Sequence, residues 1–189
     1  MKKIITFTLA LLALALTACA QTKSKDMDKT LIVYYSFTNN TKTIAERIEK
    51  ATGYDIVRLE TAVPYTGSYD DIVSQGNDEV KRKFKPELKP LGVDLKNYSR
   101  IIVGTPTWWY TMAPAVLSFL SNNNFSGKTV IPFMTNAGWP GTVIKDMKAA
   151  CKGATFAHEK EIKFSAQTGK RSQMDTPEKE VVAWIESLK

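Results

Sequence analysis

The chain has 189 residues, 43% hydrophobic and 24% charged, which suits one domain with a sizeable core. Its formal net charge of +7 is dispersed, and the densest run, Lys81-Arg82-Lys83, reads as a solvated helix face, which sets nucleic acid aside as a partner. One histidine and two cysteines leave no metal-ligand motif, no Ser-His-Asp constellation and no internal disulfide framework.

The N-terminus reads as an address. Lys2 and Lys3 precede an apolar run from Ile4 to Leu16 that is too short to span a bilayer stably. The run ends in Leu16-Thr17-Ala18-Cys19, which resembles the bacterial lipobox, where small residues precede a cysteine that becomes the lipidated first residue. Residues 1–18 are therefore expected to form a lipoprotein signal peptide, with Cys19 as the lipidation site and 19–29 as a short flexible tether. Acyl chains contribute roughly 0.8 kcal/mol per buried CH₂, so they would hold the protein on a bacterial membrane, outside the cytoplasm, with no transmembrane helix. Loss of Lys2 and Lys3 leaves 24 basic against 19 acidic residues, a formal charge of +5. With Cys19 acylated, Cys151 is the one remaining thiol and reads as a small buried apolar residue.

The domain is expected over 30–189. Leu31-Ile32-Val33-Tyr34-Tyr35 is a continuous apolar run, the pattern of a parallel strand buried on both faces. The loop Ser36-Phe37-Thr38-Asn39-Asn40-Thr41 leads into a helix carrying Ile44, Ala45, Ile48 and Ala51 at helical spacing, with Gly53 as its stop. Such a loop offers free N–H groups at the positive end of a helix and hydroxyls from Ser36, Thr38 and Thr41, but no cation. It suits a monophosphate held by dipoles alone, and N-capping by Thr38, Asn40 or Thr41 is the other reading.

A second strand spans Tyr54 to Leu59. In the long segment Thr61 to Tyr98, Ile72, Val73, Val80 and Phe84 suggest a second helix, broken at Gly76 and closed before Pro86. Ile101-Ile102-Val103-Gly104 is the next strand, and Pro114 opens a helix bearing Val116, Leu117, Phe119 and Leu120. Thr129 to Met134 makes a fourth strand with Pro132 inside it, against the rule that proline avoids central strands. A helix over 142–150, a fifth strand near 161–164 and a last helix with Val181, Trp184, Ile185 and Leu188 on one face complete the alternation. The expected fold is an α/β open doubly wound sheet of five parallel strands with helices on both faces. Ligands bind such sheets beyond the carboxyl ends of the strands, at the switch point.

Two further loops lie at those ends. Pro106-Thr107-Trp108-Trp109-Tyr110 sets three aromatics in a row after a buried strand, placed to stack on a flat ligand. Thr135-Asn136-Ala137-Gly138-Trp139 follows the fourth strand, and Trp139 reads equally as a second ring wall or as a lid or surface residue. His158 is expected at the surface before the fifth strand.

Together these loops resemble those of the flavodoxin-like family. Its phosphate loop reads Ser/Thr-x-Thr-Gly-x-Thr after the first strand, matched here at Ser36, Thr38 and Thr41, with Asn39 where the family has glycine. Asn is the non-glycine residue that best tolerates positive φ. Gly104-x-Pro106-x-Trp108-Trp109, followed by Met112 and Pro114, is similar to a loop that packs on the isoalloxazine ring in one subfamily. The resemblance covers roughly residues 30–188 and implies strand order 2-1-3-4-5, FMN as cofactor, and binding by the three loops, residues 36–41, 106–110 and 135–139. Taken with the lipobox-like N-terminus, it implies a lipid-anchored carrier that exchanges electrons with a redox partner protein or small acceptor. Two alternatives stand beside it: an FMN-dependent NAD(P)H:acceptor oxidoreductase of quinone type, and a binding module that has lost FMN.

Overall fold

The computed structural model describes residues 29–165 and 173–189. The signal peptide, Cys19 and all of the tether but Lys29 lie outside the described residues.

Strand β1 (Thr30–Tyr34) is buried along its whole length between β2 (Asp55–Arg58) and β3 (Arg100–Trp108), parallel to both. The path continues through β5 (Thr129–Asn136) to the short β6 (Thr155–Phe156), so the order is β2-β1-β3-β5-β6. A two-residue strand β4 (Thr111–Met112) folds back antiparallel on β3. The outer strand is split: β6 pairs with the start of β5, and β7 (Lys160–Lys163) pairs with its end. This is the expected five-strand parallel path, with an interrupted edge and one hairpin added.

The unbroken apolar run of β1 resolves into two faces because successive side chains point oppositely. Leu31 and Val33 join Ile101, Val103 and Val130 in one core, covered by α3 (Pro114–Asn122) and α4 (Val143–Ala150). Ile32 and Tyr34 join Ile102, Ile131 and Phe133 in the other, covered by α1 (Asn40–Thr52) and α5 (Glu178–Glu186). Gly104 lets the two central strands close up: a Cβ there would lie 2.2 Å from the Phe133 ring.

Two local expectations change. Helix α2 (Tyr69–Lys81) runs unbroken through Gly76, which is buried against the Trp108 ring, and ends before Phe84. Its start is held by a capping box in which Ser68 and Asp71 exchange side-chain and backbone hydrogen bonds. Pro132 is also explained. The Val130 carbonyl accepts from Ala157 N–H on the outer side of β5, and Pro132, two residues on, faces the same side. There the neighbouring strand is interrupted between Phe156 and Lys160, so the missing N–H falls where no ladder bond is needed. Cys151 is a buried free thiol, as expected, and His158 is exposed in the loop between β6 and β7.

Candidate functional site

The carboxyl ends of β1, β3 and β5 converge on a cavity of about 470 Å³, within the range of small-molecule sites. All three expected loops reach it. The first supplies Phe37, Thr38 and Asn40, the second Pro106 through Tyr110, and the third Thr135, Asn136, Ala137 and Trp139. None of the described residues lining it is Lys, Arg, His, Asp or Glu.

In the first loop Asn39 is the N-cap of α1 with φ 71°, the left-handed turn that the family glycine would make. Its side chain does not cap the helix, so the first N–H groups of α1 carry no side-chain partner. Ser36 is 2% exposed, and its hydroxyl has no hydrogen-bond partner among the described residues. Its carbonyl accepts from Arg58 Nη2 at 2.9 Å. With Phe37, Ser36 borders a second cavity of about 370 Å³ on the β2 side. Thr41 is buried and shares a hydrogen bond of 2.8 Å with the Thr135 hydroxyl, which ties the first loop to the third. Thr41, Asn39 and Gly138 hold the loops in shape and do not line the main cavity.

The second loop divides its aromatics. Trp108 is half-buried and meets Tyr35, Phe37 and Tyr65 edge to face at 5.9, 6.1 and 5.1 Å between centroids, so it is an inner wall fixed by packing. Trp109 and Tyr110 form the two-residue turn of the β3–β4 hairpin and lie at the rim, with φ of 46° and 67°. Positive φ at both central residues is the type I′ geometry that Asn-Gly normally supplies. Bulky residues there are strained, and three contacts hold them. Trp109 Nε1 donates to the Val73 carbonyl at 2.9 Å, the Thr142 N–H donates to the Tyr110 carbonyl at 2.8 Å, and Gly141 lies so close that a Cβ would stand 2.0 Å from that oxygen. Thr107 has a buried hydroxyl without a partner among the described residues.

In the third loop the Asn136 side chain accepts from Gly138 N–H at 2.7 Å and donates to Glu161 at 3.0 Å. Trp139 lines the cavity while remaining 58% exposed, a wall at the mouth.

Sequence reasoning missed the fourth wall. Tyr69, Ile72, Val73 and Gly76 of α2 close the cavity opposite the sheet. The segment 61–98 is long for a connection between strands, which suits an acceptor pocket or a docking face, but nothing in its periodicity indicated which face of α2 meets Trp108. Behind that wall Glu79 is 3% exposed and accepts from Tyr65 Oη at 2.6 Å and Gln75 Nε2 at 2.8 Å. Burial, reinforced by the bond to Glu79, pushes the Tyr65 hydroxyl far above the ordinary tyrosine value and keeps it neutral.

The family model for flavodoxin matches residues 29–187. The chain belongs to the flavodoxin family. A crystal structure of a provisionally assigned flavoprotein from Bacteroides eggerthii is 26% identical, with TM-score 0.65 over 84% of this chain and 96% of its own. One from Bacteroides uniformis, likewise provisionally assigned, is 24% identical with TM-score 0.70, covering 85% and 99%. A flavoprotein from Lactobacillus acidophilus, solved in complex with FMN, is 22% identical with TM-score 0.60, covering 72% and 92%. The last two bear on the fold alone. No curated protein matches the chain.

FMN is the family's cofactor, and the residues present fit it. An uncapped helix N-terminus and an unpartnered serine hydroxyl stand where the flavodoxin phosphate loop lies. A flat aromatic cavity with a second unpartnered hydroxyl, that of Thr107, stands where the ring would lie.

Proposed function

We propose that this flavodoxin-family chain binds FMN non-covalently and passes electrons through it, held on a membrane outside the cytoplasm by acylated Cys19. The observation that carries the reading is the buried Ser36 hydroxyl, without a partner among the described residues in the loop that opens α1, whose N-cap side chain makes no capping bond; the Thr107 hydroxyl, on the cavity wall, is likewise unpartnered, as is Thr30 at the other end of β1. An orphaned buried hydroxyl costs roughly 1–3 kcal/mol, and a ligand that satisfies it recovers that energy on binding.

The roles follow from position. The N–H groups opening α1, with Ser36, Thr38 and Asn40, would hold the phosphate through dipoles and hydroxyls. Trp108, whose own position is set by Tyr35, Phe37 and Tyr65, would wall the ring from within. Trp109, Tyr110 and Trp139 would wall the mouth and exclude water, and Thr107, with the backbone around Asn136 and Ala137, would offer polar groups to the ring. FMN, when bound, supplies one- and two-electron redox chemistry; the chain supplies position and environment.

The oxidoreductase alternative requires a site for a nicotinamide dinucleotide, whose phosphates carry negative charge. A turnover assay with such a donor separates this reading from the carrier. The deciding experiment adds FMN to purified protein and follows absorbance, then tests turnover with a nicotinamide donor. Stoichiometric flavin without nicotinamide oxidation supports the carrier, turnover supports the enzyme, and no flavin retained at micromolar concentration defeats both.

A further inference from the structure

The fold determines which way the mouth points relative to the attachment. The Lys29 carbonyl accepts from the N–H groups of Ser99 and Arg100, so the chain joins the domain at the N-terminal edge of the sheet. The cavity opens past the opposite edge, beyond the carboxyl ends of β1, β3 and β5. The ten steps from Cys19 to Lys29 reach at most about 36 Å fully extended and roughly 17 Å as a flexible chain. A domain of this length has a radius of gyration of about 15 Å and is therefore about 40 Å across. Only a tether at full stretch along the side of the domain would bring the mouth down to the attachment plane.

Charge favours the same orientation. The N-terminal edge carries exposed Lys50 at the end of α1, Lys96 in the 3₁₀ turn Leu95–Asn97 before β3, and Lys152 after α4. Lys189, paired with Glu186, lies there too, since Leu188 is held by Tyr54 and Arg100. Lys29 before β1, Arg100 opening β3 and Lys128 before β5 also stand at this edge, so among the described residues seven cations face four acidic side chains, Glu49, Asp55, Asp94 and Glu186; Asp55 accepts from Tyr98, and Asp94 caps the 3₁₀ turn. Cations near an anionic lipid surface are attracted to it, whereas the described residues of the mouth are aromatic and uncharged.

We propose that the N-terminal edge of the sheet faces the lipid surface and the flavin mouth opens away from it, so that the reactant arrives from water and not from within the bilayer. The proposal rests on the acylation of Cys19. Its test uses the full lipidated chain on vesicles of phosphatidylglycerol and phosphatidylcholine with brominated acyl chains. Lys96→Cys and Tyr69→Cys each carry a fluorophore, and Cys151 is buried away from the label; Tyr69 is 66% exposed at the mouth. Quenching of the Lys96 label several-fold above that of the Tyr69 label is the expected result. Equal or reversed quenching on attached protein overturns the orientation alone. Attachment that survives Cys19→Ser overturns the anchoring, and the proposal with it. Neither readout depends on flavin binding.

Discussion

Ser36 and Thr107 are expensive residues in the ligand-free fold, since each buries a hydroxyl that nothing in the described structure satisfies. Their removal separates stability from binding. Ser36→Ala and Thr107→Val are each expected to leave the free protein as stable or up to about 1 kcal/mol more stable, while lowering FMN affinity roughly tenfold. Urea unfolding without flavin, set beside a fluorescence titration with FMN, checks both signs; a loss of stability in the free protein would show that the hydroxyls serve the fold. Asn39 shows how far residue identity alone reaches. Its tolerance of positive φ was legible from residue type, and it does replace the family glycine, but that its side chain would leave α1 uncapped depends on where the amide points.

At the scale of elements, the β3–β4 hairpin is a strained turn fastened from two sides, by Val73 of α2 and by the Gly141–Thr142 backbone. Replacing Trp109-Tyr110 by Asn-Gly supplies the residues that type I′ favours. It relieves roughly 1–3 kcal/mol per strained residue and loses one hydrogen bond worth about 1 kcal/mol. The double variant is thus expected to raise the thermal midpoint of the free protein by several degrees while weakening FMN binding. An unchanged affinity would remove the rim from the binding site. The hairpin escaped sequence analysis because two bulky aromatics are the opposite of a turn signal, and only the contacts beyond the turn make the geometry tolerable.

Across the whole molecule, two predictions follow from charge and burial. Burial pushes the Cys151 thiol up to about 11 from 9.0 and the Tyr35 hydroxyl up to about 12 from 10.0. Each group is neutral when protonated and has its folded value above its unfolded one. The stability each contributes is therefore complete below the unfolded value and is lost as pH rises through the folded value. Urea midpoints are expected to hold steady from pH 7 to 9 and to decline above 9, with Cys151→Ala delaying the onset to about 10; an onset that does not move would acquit the thiol. The basic balance, +7 for the whole chain and +5 were the expected signal peptide removed, favours the more negatively charged, fully reduced flavin. A potentiometric titration is expected to give a less negative midpoint for full reduction than in an acidic relative, and a very low value would contradict this.

Sequence determined what is local or periodic. The apolar runs of β1, β3 and β5 declared parallel strands buried on both faces, the helices declared themselves by spacing, and the three candidate loops followed from their places after those strands. A strand's burial and a helix's stripe are written residue by residue, so they need no knowledge of distant chain. Tertiary structure alone decided the rest: α2 as the fourth wall, with Gly76 admitting Trp108; the split edge that gives Pro132 its place; and the division of the tryptophans into an inner wall and a rim. Each of these depends on which surfaces meet across long separations in the chain, and on what lies opposite a residue once they have met.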